Sequence, residues 1–271
     1  MSAWEEVRVD GAPAQGLPPD DRGLHYGDGV FETLAVVDGR PLWWEAHWAR
    51  LRRGLHRLDF ETLPDEAELR GEALALCEGR ARAVLKILVT RGSGPRGYAP
   101  RAGAPRRILL LGPWPEYPPA WRRDGVTARY CTTRWASNPR LAGIKHLNRL
   151  EQVLARGEWR EGYAEGLMCD QHGRVVGGTM TNLFLVTAEG LLTPELSRCG
   201  VAGVTRAWVM ERARAWGLAL REAPLDREQV AAAGALFLTN SLAGVWPVRR
   251  LAGREYPVDE VTRRLQEALP F

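Results

Sequence analysis

The chain has 271 residues, of which 45% are hydrophobic and 26% charged, and a formal net charge of +4. That is the composition of a soluble globular protein with length for one large domain or two ordinary ones. No apolar run reaches the roughly 18 residues a membrane span needs, Met1 to Glu6 shows no secretory pattern, and no Lys/Arg block interleaved with aromatics points to nucleic acid. The expectation is a cytoplasmic protein without a membrane or nucleic-acid partner.

Val30 to Val37 is rich in β-branched and aromatic residues, and the Asp38-Gly39 pair after it predicts a hairpin turn. Trp44, Trp48, Leu51, Leu55 and Leu58 recur at three- and four-residue steps, which predicts a helix, and a second helix is expected over about 65–78. Ala83 to Thr90 and Arg107 to Leu111 read as partner strands. Gly112 to Pro119 holds four prolines in eight residues and reads as a linker. Beyond it the pattern predicts a strand at about 126–133, a helix at about 147–160, and antiparallel strands over Tyr163 to Asp170 and Thr181 to Val186. A helix from Val204 to about Trp216, a strand at Ala235 to Thr239, and a last helix carrying Val258, Val261 and Leu265 complete the chain. Strands and helices mix without regular βαβ alternation, so the fold class is α+β in two domains, 1–117 and 118–271.

Of 37 basic residues only Lys86 and Lys145 are lysines. Arginine keeps its proton near neutral pH, whereas a lysine with a lowered pKa can act as a nucleophile and form a Schiff base. Lys145 lies between a Gly-Ile step and a helical pattern. Lys86 lies within a strand, where its stem is expected to pack on the sheet with the ammonium reaching out. Gly200 to Arg206 puts two glycines and a threonine at a helix start, where free N–H groups and the dipole favour phosphate. Thr239 to Gly244 is a second place where N–H and hydroxyl donors converge, and Arg50 is a candidate fixed charge. Taken singly, each segment also fits a plain cap or turn. Together, a Schiff-base lysine and phosphate donors are the minimal equipment for pyridoxal phosphate. Four dispersed cysteines without a CxxC, and five histidines without ligand spacing, give no metal site.

Asp21-Arg-Gly-Leu-His-Tyr-Gly-Asp-Gly-Val-Phe-Glu-Thr33 resembles the N-terminal signature of the fold-type IV pyridoxal-phosphate enzymes, the class IV aminotransferase family. Within it, Arg91-Gly-Ser-Gly-Pro-Arg-Gly-Tyr98 and the run from Asn138 to Arg156 are similar to the aminodeoxychorismate lyase branch. The resemblance implies two α/β domains with pyridoxal 5'-phosphate between them, and a homodimer. It also implies conversion of 4-amino-4-deoxychorismate to 4-aminobenzoate and pyruvate, a step toward folate. By the same resemblance Lys145 is the Schiff-base lysine and Arg50 binds the cofactor phosphate. Gly203, Val204 and Thr205, with Asn240, Ser241 and Leu242, form the two phosphate turns. Thr33 is a candidate proton donor, and Arg91, Arg96 and Tyr98 fall in a loop that approaches substrate. One departure stands out. The family's acidic partner of the pyridine nitrogen lies five residues before the asparagine of Asn182-Leu-Phe184, and that position is Gly177. Glu165, on the preceding strand, is the candidate replacement. Two alternatives stay open: an aminotransferase for D-amino or branched-chain amino acids, and a cofactor-binding protein impaired in catalysis by Gly177.

Overall fold

The computed structural model describes residues 4–100 and 103–271. The chain divides into two compact units, Met1–Pro115 with Ile144–Asn148, and Glu116–Gly143 with Arg149–Phe271. The division falls two residues before the expected boundary. It also moves a five-residue segment, Lys145 included, out of the C-terminal domain to which the sequence assigned it.

The first unit contains β1 (Glu6–Val9), β2 (Ala12–Pro13), α1 (Arg22–Tyr26), β3 (Gly29–Val37), β4 (Arg40–Pro41), α2 (Trp44–Arg57), α3 (Glu66–Cys77), β5 (Arg82–Thr90) and β6 (Arg106–Gly112). Its strands form one sheet in the order β2-β1-β6-β5-β3-β4, and every pairing is antiparallel. The β3–β4 hairpin turns at Asp38 and Gly39, with φ of 47° and 72°. These are the left-handed values that a two-residue turn of this hand requires, and they account for the Asp-Gly pair. Val30, Leu34 and Val36 of β3 and Leu85, Ile87 and Val89 of β5 meet Trp44, Leu51 and Leu55 of α2 and Leu69 and Leu76 of α3 in one buried core. Asp65 caps α3 by accepting from the Glu68 N–H at 2.9 Å.

The second unit contains α4 (Pro119–Arg123), β7 (Val126–Tyr130), α5 (Leu150–Arg156), β8 (Glu165–Cys169), β9 (Val175–Gly178), β10 (Asn182–Thr187) and β11 (Gly190–Pro194). It continues with α6 (Val204–Ala215), β12 (Leu220–Ala223), α7 (Arg227–Ala232), β13 (Ala235–Asn240), β14 (Gly244–Leu251), β15 (Arg254–Glu255) and α8 (Glu260–Glu267). The sheet order is β12-β11-β10-β13-β14-β7-β8-β9, with β15 on β14. Alternate residues of the central strands enter two cores: Leu183, Leu185, Leu236 and Leu238 enter one, and Phe184 and Phe237, stacked with centroids 4.9 Å apart, enter the other with α6 and α8. Burial on both faces explains why these strands read as unbroken apolar runs.

The helix expected over 147–160 is shorter, Leu150–Arg156, because the chain just before it is hydrogen-bonded at Lys145 and Leu147 to β3. The sequence pattern also missed β14. Pro247 argues against a central strand, yet β14 lies between β13 and β7, and its register shifts between Val248 and Arg250, immediately after the proline. All four cysteines are free and buried. Among the described residues no helix is long and apolar enough to cross a membrane.

Gly54 shows how closely α2 lies on β3. A Cβ there would sit 2.9 Å from Val30 Cγ1, a stiff and fully packed side chain. Gly54→Ala gains about 1 kcal/mol of helix propensity and loses about 1–3 kcal/mol to overpacking. A net destabilisation is expected, read as a lower urea midpoint for the full-length protein.

Candidate active site

Residues 144–148 add to the free length of β3. The Phe31 N–H donates to the Lys145 carbonyl and the Leu147 N–H to the Gly29 carbonyl, both at 2.9 Å, and Val30 pairs with His146. Ile144 is buried and faces Gly54, which anchors the segment from below. Gly143, at φ 77°, lets the chain make the turn into this strand. The outcome is an ammonium in a defined place, with Lys145 Nζ 4.3 Å from the centre of the Phe31 ring.

The second lysine points to the same ring, with Lys86 Nζ at 5.2 Å. Lys86 lies directly across from Thr33 in the β3–β5 ladder, so Phe31, Thr33 and Lys86 share one face of the sheet. Burial lowers the Lys86 pKa, and no ion pair holds its ammonium among the described residues. The stem of Lys86 lies on the sheet, half-buried, as the sequence leads one to expect. It brings the chain's other amine to the ring beside Lys145.

Glu32 alternates to the opposite face and meets α2. Its carboxylate accepts from Arg50 Nε at 2.8 Å and from Arg50 Nη2, and His47 Nδ1 lies 2.6 Å from Oε2. All three side chains are buried. Burial pushes the Glu32 carboxyl up, but the charge and hydrogen bonds of Arg50, then His47, overcome it and hold the pKa at about 2. Burial lowers the His47 pKa against the upward pull of Glu32. A neutral His47 facing a carboxylate must carry its proton on Nδ1 and leave Nε2 an acceptor.

The loop after β5 departs from expectation. Arg91 is buried, donating to Asp28 at 2.8 Å, to the Asp59 carbonyl at 3.2 Å and to the Leu58 carbonyl at 2.6 Å, with its guanidinium 4.0 Å from the centre of the Phe60 ring. That charge serves the fold, and the assignment of Arg91 as a substrate anchor is corrected. Arg22 also grips Asp28 and reaches the Gly97 and Tyr98 carbonyls. These contacts shape the loop that leaves Arg96 exposed and Tyr98 85% exposed, its ring edge-on to Tyr26.

In the second unit α6 starts at Gly203, and no side chain caps it. A Cβ on Gly203 would lie 2.1 Å from Asn182 Oδ1, so glycine is the residue this approach admits. Asn182 donates to the Val201 carbonyl at 2.8 Å and pairs with Thr239 in the β10–β13 ladder. It thereby brings the start of α6 beside the end of β13. Thr205 Oγ1 and Thr239 Oγ1 are both buried with no hydrogen-bond partner among the described residues. Two buried hydroxyls without partners beside an uncapped twelve-residue helix make a place for an anion. Asn240 Oδ1 accepts from the Leu242 and Ala243 N–H groups at 2.9 and 2.7 Å and folds the turn on itself.

A family model of class IV amino-transferases matches residues 29–251. The chain is 35% identical to the aminodeoxychorismate lyase of Vibrio harveyi, over 95% of this chain and 97% of that protein. The crystal structure of 4-amino-4-deoxychorismate lyase from Pseudomonas aeruginosa is 52% identical, with a TM-score of 0.93, covering 96% of this chain and 97% of the other. A hypothetical aminotransferase from Mycobacterium tuberculosis, solved in its PLP-bound form, is 25% identical with a TM-score of 0.81, covering 97% and 96%. The chain belongs to the class IV amino-transferase family. Its fold is that of the fold-type IV enzymes.

The resemblance calls for an acid at position 177, which is a glycine here. Gly177 is buried on β9 opposite Met168, and a Cβ there would lie 2.9 Å from the Thr181 carbonyl. Glu165, the candidate replacement, is fully buried and holds a turn. Oε1 accepts from the N–H groups of Gly166 and Thr179 and the Thr179 hydroxyl at 2.8, 3.0 and 2.6 Å. Oε2 accepts from the Met180 N–H at 3.2 Å and the Thr181 hydroxyl at 2.9 Å. Five donors occupy this carboxylate, so its role is to shape the turn before Asn182. Glu165→Gln turns an N–H₂ toward those donors and is expected to cost about 2–4 kcal/mol, measured by urea unfolding of the full-length protein. A midpoint equal to that of the unsubstituted protein would remove Glu165 from this role.

Proposed function

We propose that the chain is a pyridoxal-phosphate-dependent lyase that converts 4-amino-4-deoxychorismate to 4-aminobenzoate and pyruvate. The likeness to the Pseudomonas aeruginosa enzyme over almost the whole of both chains carries the reading. The place of Lys145 on β3 supports it. The residues also fit the cofactor. In the first unit Lys145 offers an amine suited to an aldehyde and Arg50 a fixed charge; in the second unit the buried hydroxyls of Thr205 and Thr239, and the close approach at Gly203, suit a phosphate. When bound, pyridoxal phosphate would supply an electron sink.

The chain's own groups account for the rest. The Lys145 amine, when free, would take the proton from the amine-bearing ring carbon. The bond from the adjacent ring carbon to the enolpyruvyl oxygen breaks, the ring becomes aromatic, and the departing enolpyruvyl takes a proton at its methylene carbon to become pyruvate. The Thr33 hydroxyl, across from Lys86, or a water delivers that proton. The substrate carries two carboxylates. Lys86 and the exposed Arg96 are the proposed anchors in place of Arg91.

Lys145→Ala is expected to release no aminobenzoate from enzymatically generated aminodeoxychorismate. Lys86→Met should lower kcat/KM roughly 10- to 100-fold, the effect of losing one charge-assisted contact. Amino transfer to a keto acid without pyruvate release would make the chain an aminotransferase instead. Cofactor binding with no turnover of either kind would make it a binding protein only.

We further propose a homodimer. Helix α5 leaves Leu150, Val153 and Leu154 exposed at 76%, 62% and 64%. At this spacing they form an apolar stripe on one helix face. A sedimentation experiment is expected to give twice the chain mass, with Leu154→Glu shifting the population toward monomer.

A further inference from the structure

Resting on the cofactor reading above, we propose that Glu32, steadied by His47, is the positioning residue for Arg50. It presets the guanidinium as a clamp for the cofactor phosphate, so that the protein favours the phosphorylated aldehyde over the plain one.

The geometry is specific. Glu32 takes Arg50 through both oxygens, at Nε and Nη2, which fixes the plane of the guanidinium as well as its position. His47, one helical turn before Arg50 on α2, bonds Oε2 from the other side. The three atoms groups that meet here come from the apolar face of β3, between Val30 and Leu34, and from the buried face of α2. An ion pair in such a place adds little stability compared with a well-packed apolar pair. Its physical return is orientation: a guanidinium on a helix side chain has several rotatable bonds, and a two-point contact removes that freedom before any ligand arrives.

The test is a tryptophan-fluorescence titration of the full-length protein, freed of cofactor, with pyridoxal 5'-phosphate and separately with pyridoxal. Glu32→Gln keeps the shape of the side chain but faces one guanidinium N–H with an amide N–H₂. It is expected to weaken pyridoxal-phosphate binding on the order of tenfold while leaving pyridoxal binding unchanged. His47→Asn should weaken it in the same phosphate-selective sense by a smaller factor, and it decides the matter if Glu32→Gln does not fold. A merely structural role would reduce binding of both aldehydes equally, and that outcome, or unchanged binding of both, overturns the proposal. Failure of the cofactor reading shows separately, as an unsubstituted protein that binds neither aldehyde, and it overturns the proposal with it.

Discussion

The arrangement depends on a short stretch of backbone pairing. Two hydrogen bonds between residues 144–148 and the first residues of β3 hold Lys145 in the first unit, although the chain on both sides of it belongs to the second. A lysine on a loop would sample many positions. A lysine whose neighbours are locked by Ile144 in the core and His146 in the ladder has its Cα fixed, and only its side-chain torsions remain. Gly143 supplies the left-handed turn that makes the detour possible, and the shortened α5 follows from it, since the Leu147 N–H that donates to the Gly29 carbonyl is not part of a helix.

Strand β3 then separates two kinds of work by its period of two. On one face Phe31 and Thr33, with Lys86 across from Thr33, present a ring, a hydroxyl and an amine. On the other face Glu32 enters the apolar core and is tolerated there because Arg50 and His47 meet it. The desolvation that would otherwise neutralise the carboxyl is outweighed by those partners, which is why it stays ionised down to about pH 2. Adjacent residues of a single strand thus reach the amines on one side and the buried arginine on the other.

The regular elements were legible because their patterns are strong. The 3.6-residue stripe of α2, the apolar runs of β5, β10 and β13, and the Asp38-Gly39 turn all follow from local rules. What escaped was tertiary. Nothing in a window around Lys145 says that five residues will leave one unit for another, and a proline hid β14. The site was half legible. Lys145 and Lys86 stood out by residue type, whereas Glu32 and His47 did not. A usable signal was present for Glu32: an acid at a core-facing position of a period-two strand must have a buried partner, and the His47–Arg50 spacing on the next helix provides one. Arg91 misled because a loop arginine looks available, and only the Asp28, Leu58 and Asp59 contacts show that it is occupied.

Gly177 and Glu165 are best understood together. Five donors converge on the Glu165 carboxylate and draw residues 178–181 tightly against β8. The tightness brings the Thr181 carbonyl to 2.9 Å from where a Cβ at 177 would sit, and Thr181 Oγ1 to 2.2 Å from one at 178. Two consecutive glycines are what such a turn admits, and an acidic side chain at 177 would require the backbone of Thr181 to move. The resemblance places a carboxylate at this position, and the chain has none there. A lyase whose product is aromatic bears that loss better than a transaminase would. Forming the aromatic ring drives the elimination forward, whereas moving an amino group between similar acids has no comparable thermodynamic pull and leans more heavily on the cofactor as an electron sink.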